Sequence, residues 1–391
     1  MSATVTARYG AGLGDAAEAA RSGDRRRMVI IALQQVFFGI VPVIMFVGLL
    51  EVVITSRGVA LDFSNAYWTA GARLLHGGNP YYWTHTQLAA GVSFVYPALS
   101  AIAFVPFALL SRGTADDVFT LICVSMVPLT LWALRVRDWR VYGITLVWGP
   151  VFTGWQSGNE TLPLIALCAL VWRWRDKPAR AGILTAIMVS LKPFVWPLAL
   201  WLLLTRRWRA SVWSLAAGVV INLATWSIVG FGRIPTMLHV SNLDTAFAWR
   251  GGYSVDAVAH HLGLSHHAGD VLTLVAAVAL IGALFYVGYV KGRERHALTF
   301  AILLMLVASP LLWSHYFALL VIPMAINRPR MSWLWLLPLA MWACPPSYAA
   351  VFWQDAVAWA VAGTMFVACI RDPGPPSRRV VGARPQALAH S

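Results

Sequence analysis

The chain has 391 residues, of which 59% are hydrophobic and only 12% are charged, and its mean hydropathy is +0.66. This composition is too apolar for a soluble domain of that length, so it predicts an integral membrane protein. The formal net charge of +14 indicates basic loops that face the cytoplasm or anionic membrane lipids, and nucleic-acid binding is not expected. The cysteines lie in apolar stretches without paired spacing, which predicts neither a disulfide framework nor a thiolate metal site.

The chain begins with a polar stretch and continues into one long hydrophobic domain. Residues 1–27 end in three arginines and are predicted to be a disordered cytoplasmic N-terminus. Residues 28–370 are expected to form a single transmembrane domain, and the Pro- and Arg-rich residues 371–391 are expected to be a cytoplasmic tail. With the N-terminus inside, residues 55–93 form an outer loop, and residues 232–270 form a second one.

Apolar runs separated by polar breaks predict the helices of an all-α polytopic membrane protein. The predicted segments lie near 28–54, 94–110, 118–134, 141–155, 160–174, 181–204, 211–231, 271–290, 297–326, 331–347 and 351–369. Allowing for breaks inside some of them, we expect about 11–13 transmembrane or half-membrane helices. If every segment crossed the membrane in turn, 94–134 would put the later basic loops on the wrong side, so one run in it must be re-entrant. The sequence does not show which one.

Two predicted segments must break if their basic flanks are to share one side of the membrane. Both 173–180 and 206–209 are rich in arginine, so 181–204 is expected to bend at Lys192-Pro193. Each half would have about 11 residues and reach roughly 17 Å, which is tolerable only where protein covers the break. By the same argument, 297–326 is expected to bend at Ser309-Pro310.

Asp62 is the lone carboxylate of the first outer loop, and it lies among aromatic and small polar residues. It is either a chemical group at the membrane face or the N-cap of a surface helix over 63–75. A second outer cluster, Trp313-Ser314-His315-Tyr316, favours the chemical role. A carboxylate and an imidazole on the same face could share a proton or hold a sugar hydroxyl.

Lys192 lies in the middle of an apolar segment, where an ammonium group needs a partner or a water-filled cavity. One interpretation is a structural pair with a buried carbonyl or carboxylate. The other is contact with the phosphate of a lipid-linked substrate at the helix break.

The second outer loop contains two histidine pairs, at 260–261 and 266–267, and several aromatic residues. No metal site is predicted, because no carboxylate or cysteine completes a recognisable ligand spacing. A polar surface helix is the expected structure there. Tyr253 is either a residue that stacks on a sugar or part of an interfacial aromatic belt.

Several ordered motifs resemble those of the polyprenyl-phosphate-sugar-dependent glycosyltransferases of family 87. They are Asp62 with Tyr67, the turn 77–82, Phe94-Val95-Tyr96-Pro97, Gln156-Ser157-Gly158-Asn159, Ser190-Leu191-Lys192-Pro193 with Arg206-Arg207-Trp208, Tyr253-Ser254, and the run from Ser309 to Tyr316. The resemblance implies a GT-C-type bundle in the cell membrane, with the site on the outer, periplasmic face and actinobacterial envelope synthesis as its setting.

The resemblance also implies roles for individual residues. Asp62 matches the general base, Lys192 is expected to bind the donor phosphate, and substrate contacts are expected from Tyr67, Asn159, Tyr253 and His315. The partners would be a lipid-linked sugar donor, a glycolipid or polysaccharide acceptor and membrane lipids, with no cofactor and no metal. A single base suits inversion at the anomeric carbon.

The resemblance leaves alternatives open. Mannose is slightly favoured as the donor sugar by the run around His315, and arabinofuranose is a close second from the sequence around Lys192. Ala98 and the Gly252-Tyr253-Ser254 run depart from the common pattern. A transporter or flippase of a lipid-linked sugar and a catalytically inactive scaffold subunit are the rival functions.

Overall fold

A computed structural model describes residues 25–56, 58–345 and 350–371. The predicted disordered N-terminus lies outside these residues up to position 24, as does the predicted tail from 372. Within the described ranges the protein is all-helical, and five helices are long and apolar enough to cross a membrane. The prediction of an all-α polytopic membrane protein is therefore confirmed. Arg25, Arg26 and Arg27, expected in the polar terminus, instead begin the first helix.

The first part of the chain contains one long helix, a group of short helices and a second long helix. These are α1 (Arg25–Thr55), α2 (63–75), α3 (His85–Ala89), α4 (Ala98–Ala103), α5 (Val105–Ala108) and α6 (Arg112–Ala133). The predicted outer loop 55–93 is thus partly helical.

The central part of the chain supplies the bundle around the site. Its helices are α7 (Trp139–Leu146), α8 (Gly149–Ser157), α9 (Thr161–Arg173), α10 (Pro178–Leu191), α11 (Pro193–Leu204) and α12 (Trp208–Val229).

The last part begins with two helices in the predicted second outer loop and ends with a long apolar helix. Its helices are α13 (Ile234–Ala248), α14 (Val255–His261), α15 (His266–Val290), α16 (Glu294–Val307), α17 (Ser314–Asn327), α18 (Trp333–Ala343) and α19 (Phe352–Arg371).

The run 94–110 does not cross the bundle, because it begins and ends against α2. At its start, Tyr96 stacks on Tyr67 with ring centroids 5.1 Å apart. At its end, the Trp68 indole donates to the Phe107 carbonyl over 3.2 Å. The following helix α6 is long enough to span. The re-entrant run in 94–134 is therefore 94–110, which alternation of the segments alone did not reveal.

The break predicted at Lys192-Pro193 is confirmed, since α10 ends at Leu191 and Lys192 is extended, with φ −144° and ψ 100°. A residue before proline disfavours helical geometry, so the sequence itself imposes the break. The freed Leu191 carbonyl accepts a hydrogen bond of 2.9 Å from the Ser100 hydroxyl. Protein therefore covers the break, as a buried backbone group requires.

The basic flanks of this broken segment meet at one end of the bundle. Arg207 lies 3.2 Å from Asp176, and Arg175 lies 3.0 Å from Glu294 at the start of α16. Arg207 also pairs with Glu294. The segment therefore enters and leaves at the same end, as its charges predicted.

The second predicted break is also confirmed, because α16 ends at Val307 and α17 begins at Ser314. Residues of α17 from Ser314 to Ile326 are buried in the core of the bundle. The Leu312 carbonyl in the connection accepts a hydrogen bond of 2.8 Å from the Tyr253 amide. The return of the chain is thus fixed by the segment that precedes α14.

Candidate functional site

The turn after α8 carries the residue at the centre of the site. Gly158 ends the helix in the left-handed region, with φ +63°, which glycine adopts without strain. A Cβ at this position would lie 2.8 Å from the Phe63 Cβ and 2.9 Å from the Ala60 Cβ. Because Gly158 permits this close approach, the next residue, Asn159, lies beside the segment that carries Asp62.

Asp62 uses its side chain to contact Asn159 and not to cap α2. One carboxylate oxygen accepts a hydrogen bond of 3.0 Å from the Asn159 amide nitrogen, and no side-chain cap bond forms at the start of the helix. The N-cap alternative is therefore wrong. Burial raises the pKa of the Asp62 carboxyl, while the Asn159 hydrogen bond and the Lys192 charge oppose that rise.

Lys192 lies on the other side of Asn159 and is only 2% exposed. Its ammonium donates to the Asn159 side-chain oxygen over 2.9 Å and to the Thr161 hydroxyl over 3.3 Å. Three aromatic rings surround the ammonium, with centroids at 5.0, 5.7 and 4.5 Å, and they belong to Tyr96, Phe194 and Tyr316. Cation–π contacts of this kind stabilise a buried ammonium while leaving it able to attract an anion.

Glu160 is a buried carboxylate in the same cluster that the sequence analysis overlooked. It is 4% exposed, and one of its oxygens has no hydrogen-bond partner. The other oxygen lies 3.4 Å from the Ser100 hydroxyl, whose one proton points to the nearer Leu191 carbonyl or is shared with it. The available signal was a lone acid just before an apolar run, directly after the Asn159 motif.

Tyr67 and His315 lie at the edges of this cluster. Tyr67 is fully buried and stacks on Tyr96, one of the rings that surround the lysine. His315 is 3% exposed, its ring lies 4.9 Å from that of Tyr316, and its Nε2 has no hydrogen-bond partner. The structure therefore brings both residues to the walls of the site and not into contact with Asp62.

Tyr253 belongs to a different part of the structure. It is fully buried, its hydroxyl donates to the Pro345 carbonyl over 3.0 Å, and its own carbonyl accepts from the Trp359 indole. This hydrogen bonding assigns Tyr253 to the packing of the segment before α14 against α19 and not to the cluster around Lys192.

The histidine pairs are joined to carboxylates that their sequence spacing did not indicate. His261 pairs with Asp355, which is fully buried on α19. His266 lies 2.6 Å from Asp256, and the nearby Asp270 completes a possible three-residue ligand group. Asp355 and Asp256 lie on helices other than those of their histidine partners, whereas Asp270 follows His266 by four residues on α15.

The arrangement around Asn159 combines a proton acceptor with a fixed cation. The Asp62 carboxylate can take a proton from a hydroxyl that approaches it, and burial raises its pKa above the usual range, which makes it a stronger base. The Lys192 ammonium can neutralise an anion that reaches the helix break. One side chain, Asn159, orients both groups by hydrogen bonds.

Comparison with known proteins identifies the chain's relatives. The sequence model of glycosyltransferase family 87 matches residues 94–314, a range that includes Asn159 and Lys192. A polyprenol-phosphate-mannose-dependent alpha-(1-2)-phosphatidylinositol pentamannoside mannosyltransferase of Mycolicibacterium smegmatis is 27% identical over 274 residues, which cover 64% of this chain and 60% of the relative.

A second relative from the same organism is a polyprenol-phosphate-mannose-dependent alpha-(1-2)-phosphatidylinositol mannoside mannosyltransferase. It is 25% identical over 308 residues, which cover 68% of this chain and 66% of that protein. The chain thus spans less than two thirds of the length of either relative. No solved structure matches it significantly. Because the matched range covers more than half of the chain and carries the centre of the site, this protein belongs to glycosyltransferase family 87.

Proposed function

We propose that this protein transfers a sugar, with mannose favoured, from a polyprenyl-phosphate carrier to a hydroxyl of a cell-envelope glycolipid. The observation that carries the proposal is the connection of Asp62 to Lys192 through Asn159. Such a connection holds a base for the acceptor and a cation for the donor phosphate in fixed relation. Preorganised charges of this kind stabilise a transition state without further rearrangement.

The proposed reaction is a direct displacement at the anomeric carbon. Asp62 removes the proton from the acceptor hydroxyl as the new glycosidic bond forms and the bond from the anomeric carbon to phosphate oxygen breaks. Phosphate is a good leaving group, so the positive charge of Lys192 suffices to stabilise it. With one base at the reacting hydroxyl, the product should have the opposite anomeric configuration from the donor.

The charge distribution supports an outer location for this chemistry. The arginine-rich segments that meet around Glu294 lie at one end of the bundle and are expected in the cytoplasm. Asp62 follows the end of α1, whose first residues are Arg25, Arg26 and Arg27. By the same rule, we propose that Asp62 lies on the outer side of the plasma membrane.

The names of the relatives favour mannose over arabinofuranose as the donor sugar. Both relatives depend on polyprenol-phosphate mannose, and both act on phosphatidylinositol mannosides. We propose that a glycolipid of this general kind is the acceptor.

The direct test is sugar transfer by the purified full-length chain in lipid nanodiscs. Polyprenyl-phosphate mannose and decaprenyl-phosphate arabinofuranose are offered separately with a mixture of phosphatidylinositol mannosides. We expect the mannose donor to be consumed with formation of a larger glycolipid, and the anomeric configuration of that product should be inverted.

Two outcomes would contradict the proposal. Consumption of the arabinose donor alone would overturn the choice of mannose. Movement of intact donor across the bilayer of a proteoliposome, without transfer to any acceptor, would indicate a transporter instead.

A further inference from the structure

The buried site contains more acidic groups than basic ones. Glu160 and Lys192 are 4% and 2% exposed, and Asp62 is half-buried beside them. When all three are ionised, two negative charges face one positive charge. A donor with a phosphodiester group would add another negative charge to this enclosed volume, which is costly where solvent cannot screen it.

Among the residues that the structure describes, several helices contribute groups that face Glu160, and Lys192 is the cation among them. They are Tyr67 on α2, Tyr96 and Ser100 at the start of α4, Cys123 on α6, Lys192 before α11, and Tyr316 on α17. Asp62, before α2, faces Lys192. His315, also on α17, lies beyond Tyr316 and faces Lys192. The negative charge that the donor adds must therefore be balanced by Lys192 or by protonation of one of these groups.

Lys192 has limited capacity to balance the added charge. An ammonium has three N–H donors, and two of them are used by Asn159 and Thr161. The remaining N–H can bind one phosphate oxygen. In the interior of a protein, a like charge within about 6 Å raises a carboxyl pKa by about two units, so a phosphate held by Lys192 would strongly favour a neutral carboxyl nearby.

Glu160 is better placed than Asp62 to take the proton. One Glu160 oxygen is buried without a hydrogen-bond partner, whereas Asp62 already accepts a bond from Asn159 that favours its charged form. A neutral Glu160 would also leave Asp62 ionised, as a base must be. We propose that Glu160 takes up one proton from solvent when the phosphate of the donor binds at Lys192.

The step is balanced, because one proton leaves bulk water and forms an O–H bond on Glu160 as the singly charged phosphodiester enters. The net charge of the site is then unchanged by binding. Glu160 acts as a positioning residue that keeps Lys192 protonated and Asp62 ionised, and it touches no reacting atom.

The inference rests on the proposed function, since it assumes a phosphate at Lys192, and the experiment separates the two. The probe is a polyprenyl methyl phosphodiester, which carries one negative charge and does not titrate near neutral pH. Its binding to the full chain in nanodiscs is measured by calorimetry at pH 7.5, in buffers with different ionisation enthalpies. We expect uptake of between about half and one proton per bound probe.

The decisive variant is Glu160→Gln, with Glu51→Gln as a control because Glu51 is exposed on α1. Glu160→Gln should bind the probe at least as tightly as the wild type and take up no proton, whereas Glu51→Gln should behave as the wild type. Uptake that persists in Glu160→Gln would assign the proton to Asp62 or Lys192 and overturn the inference. Absence of probe binding to the wild type would instead contradict the donor site itself.

A second measurement needs no variant and so does not depend on its folding. The dissociation constant of the wild type for the same probe is followed from pH 7 to pH 9. Proton uptake predicts that affinity falls with rising pH, approaching tenfold for each pH unit. An affinity independent of pH over this range would overturn the inference.

Discussion

The Asp62 carboxylate and the Lys192 ammonium are connected through one side chain, since Asn159 donates to the first from its amide nitrogen and accepts from the second at its amide oxygen. This relationship fixes the distance between a base and a cation on segments far apart in the sequence. It also orients the Asn159 amide, because the reverse orientation would place N–H against ammonium and oxygen against carboxylate.

The first prediction concerns stability. Burial raises the pKa of folded Asp62 above its unfolded value, so ionised Asp62 lowers the free energy of unfolding at neutral pH, and this penalty disappears as pH falls below the unfolded value. Asp62→Asn removes the charge and keeps an oxygen that can accept from Asn159. We expect its melting temperature to equal or exceed that of the wild type, measured by thermal unfolding in detergent at pH 7.5. A clear decrease would show that the ionised carboxylate stabilises the fold.

The second prediction concerns the pH dependence of activity. A base acts in its deprotonated form, and the pKa of Asp62 is raised by burial. We expect kcat/KM for sugar transfer to decline on acidification at a pH above the usual range for an aspartate. Activity that stays constant down to pH 4.5, with the protein still folded, would contradict the assignment of Asp62.

The third prediction concerns the donor site. Lys192→Met removes the cation, and Lys192→Arg places a larger planar group among Tyr96, Phe194 and Tyr316. Charge-assisted hydrogen bonds are worth about 1.5–3 kcal/mol, so we expect each variant to bind a polyprenyl phosphodiester at least about tenfold more weakly.

Lys177→Met is the matched control, since Lys177 is exposed at the end of the bundle where the arginines meet. Binding to this control should equal that of the wild type. Unchanged binding of the phosphodiester to Lys192→Met would show that the donor phosphate does not bind at Lys192.

The fourth prediction concerns the turn that carries Asn159. Gly158→Ala puts a side chain at φ +63° and brings its Cβ to 2.8 Å from that of Phe63. We expect a loss of about 1–3 kcal/mol in the free energy of unfolding, together with reduced transfer because Asn159 is displaced. Gly113→Ala, with no atom within 4 Å of its Cβ, should cost little.

The sequence was sufficient for features that depend on local chemistry. Lys192-Pro193 and Ser309-Pro310 predicted helix breaks, because proline restricts the residue before it and cannot donate to the helix. The arginines flanking α10 and α11 correctly predicted that both flanks meet at one end. Asp62, Lys192 and Asn159 were also identified as separate candidates.

Features that depend on packing between distant segments could not be predicted from the sequence. Nothing in the local sequence shows that Asn159 lies between Asp62 and Lys192, or that Glu160 faces the same volume. The path of 94–110 is set by contacts of Tyr96 and Phe107 with α2. The hydroxyl of Tyr253 donates to the Pro345 carbonyl, a contact between segments far apart in the sequence that only folding creates.

The central claim is that Asp62 is the base of a sugar transfer, and its most direct test is the initial rate of mannose transfer by Asp62→Asn. Asp117→Asn is the control, because Asp117 is exposed near the start of α6, next to Asp116, which accepts a hydrogen bond from Ser64 on α2. We predict that Asp62→Asn loses at least about a hundredfold in rate while still binding donor, and that Asp117→Asn transfers mannose as the wild type does. Full activity of folded Asp62→Asn would contradict the account.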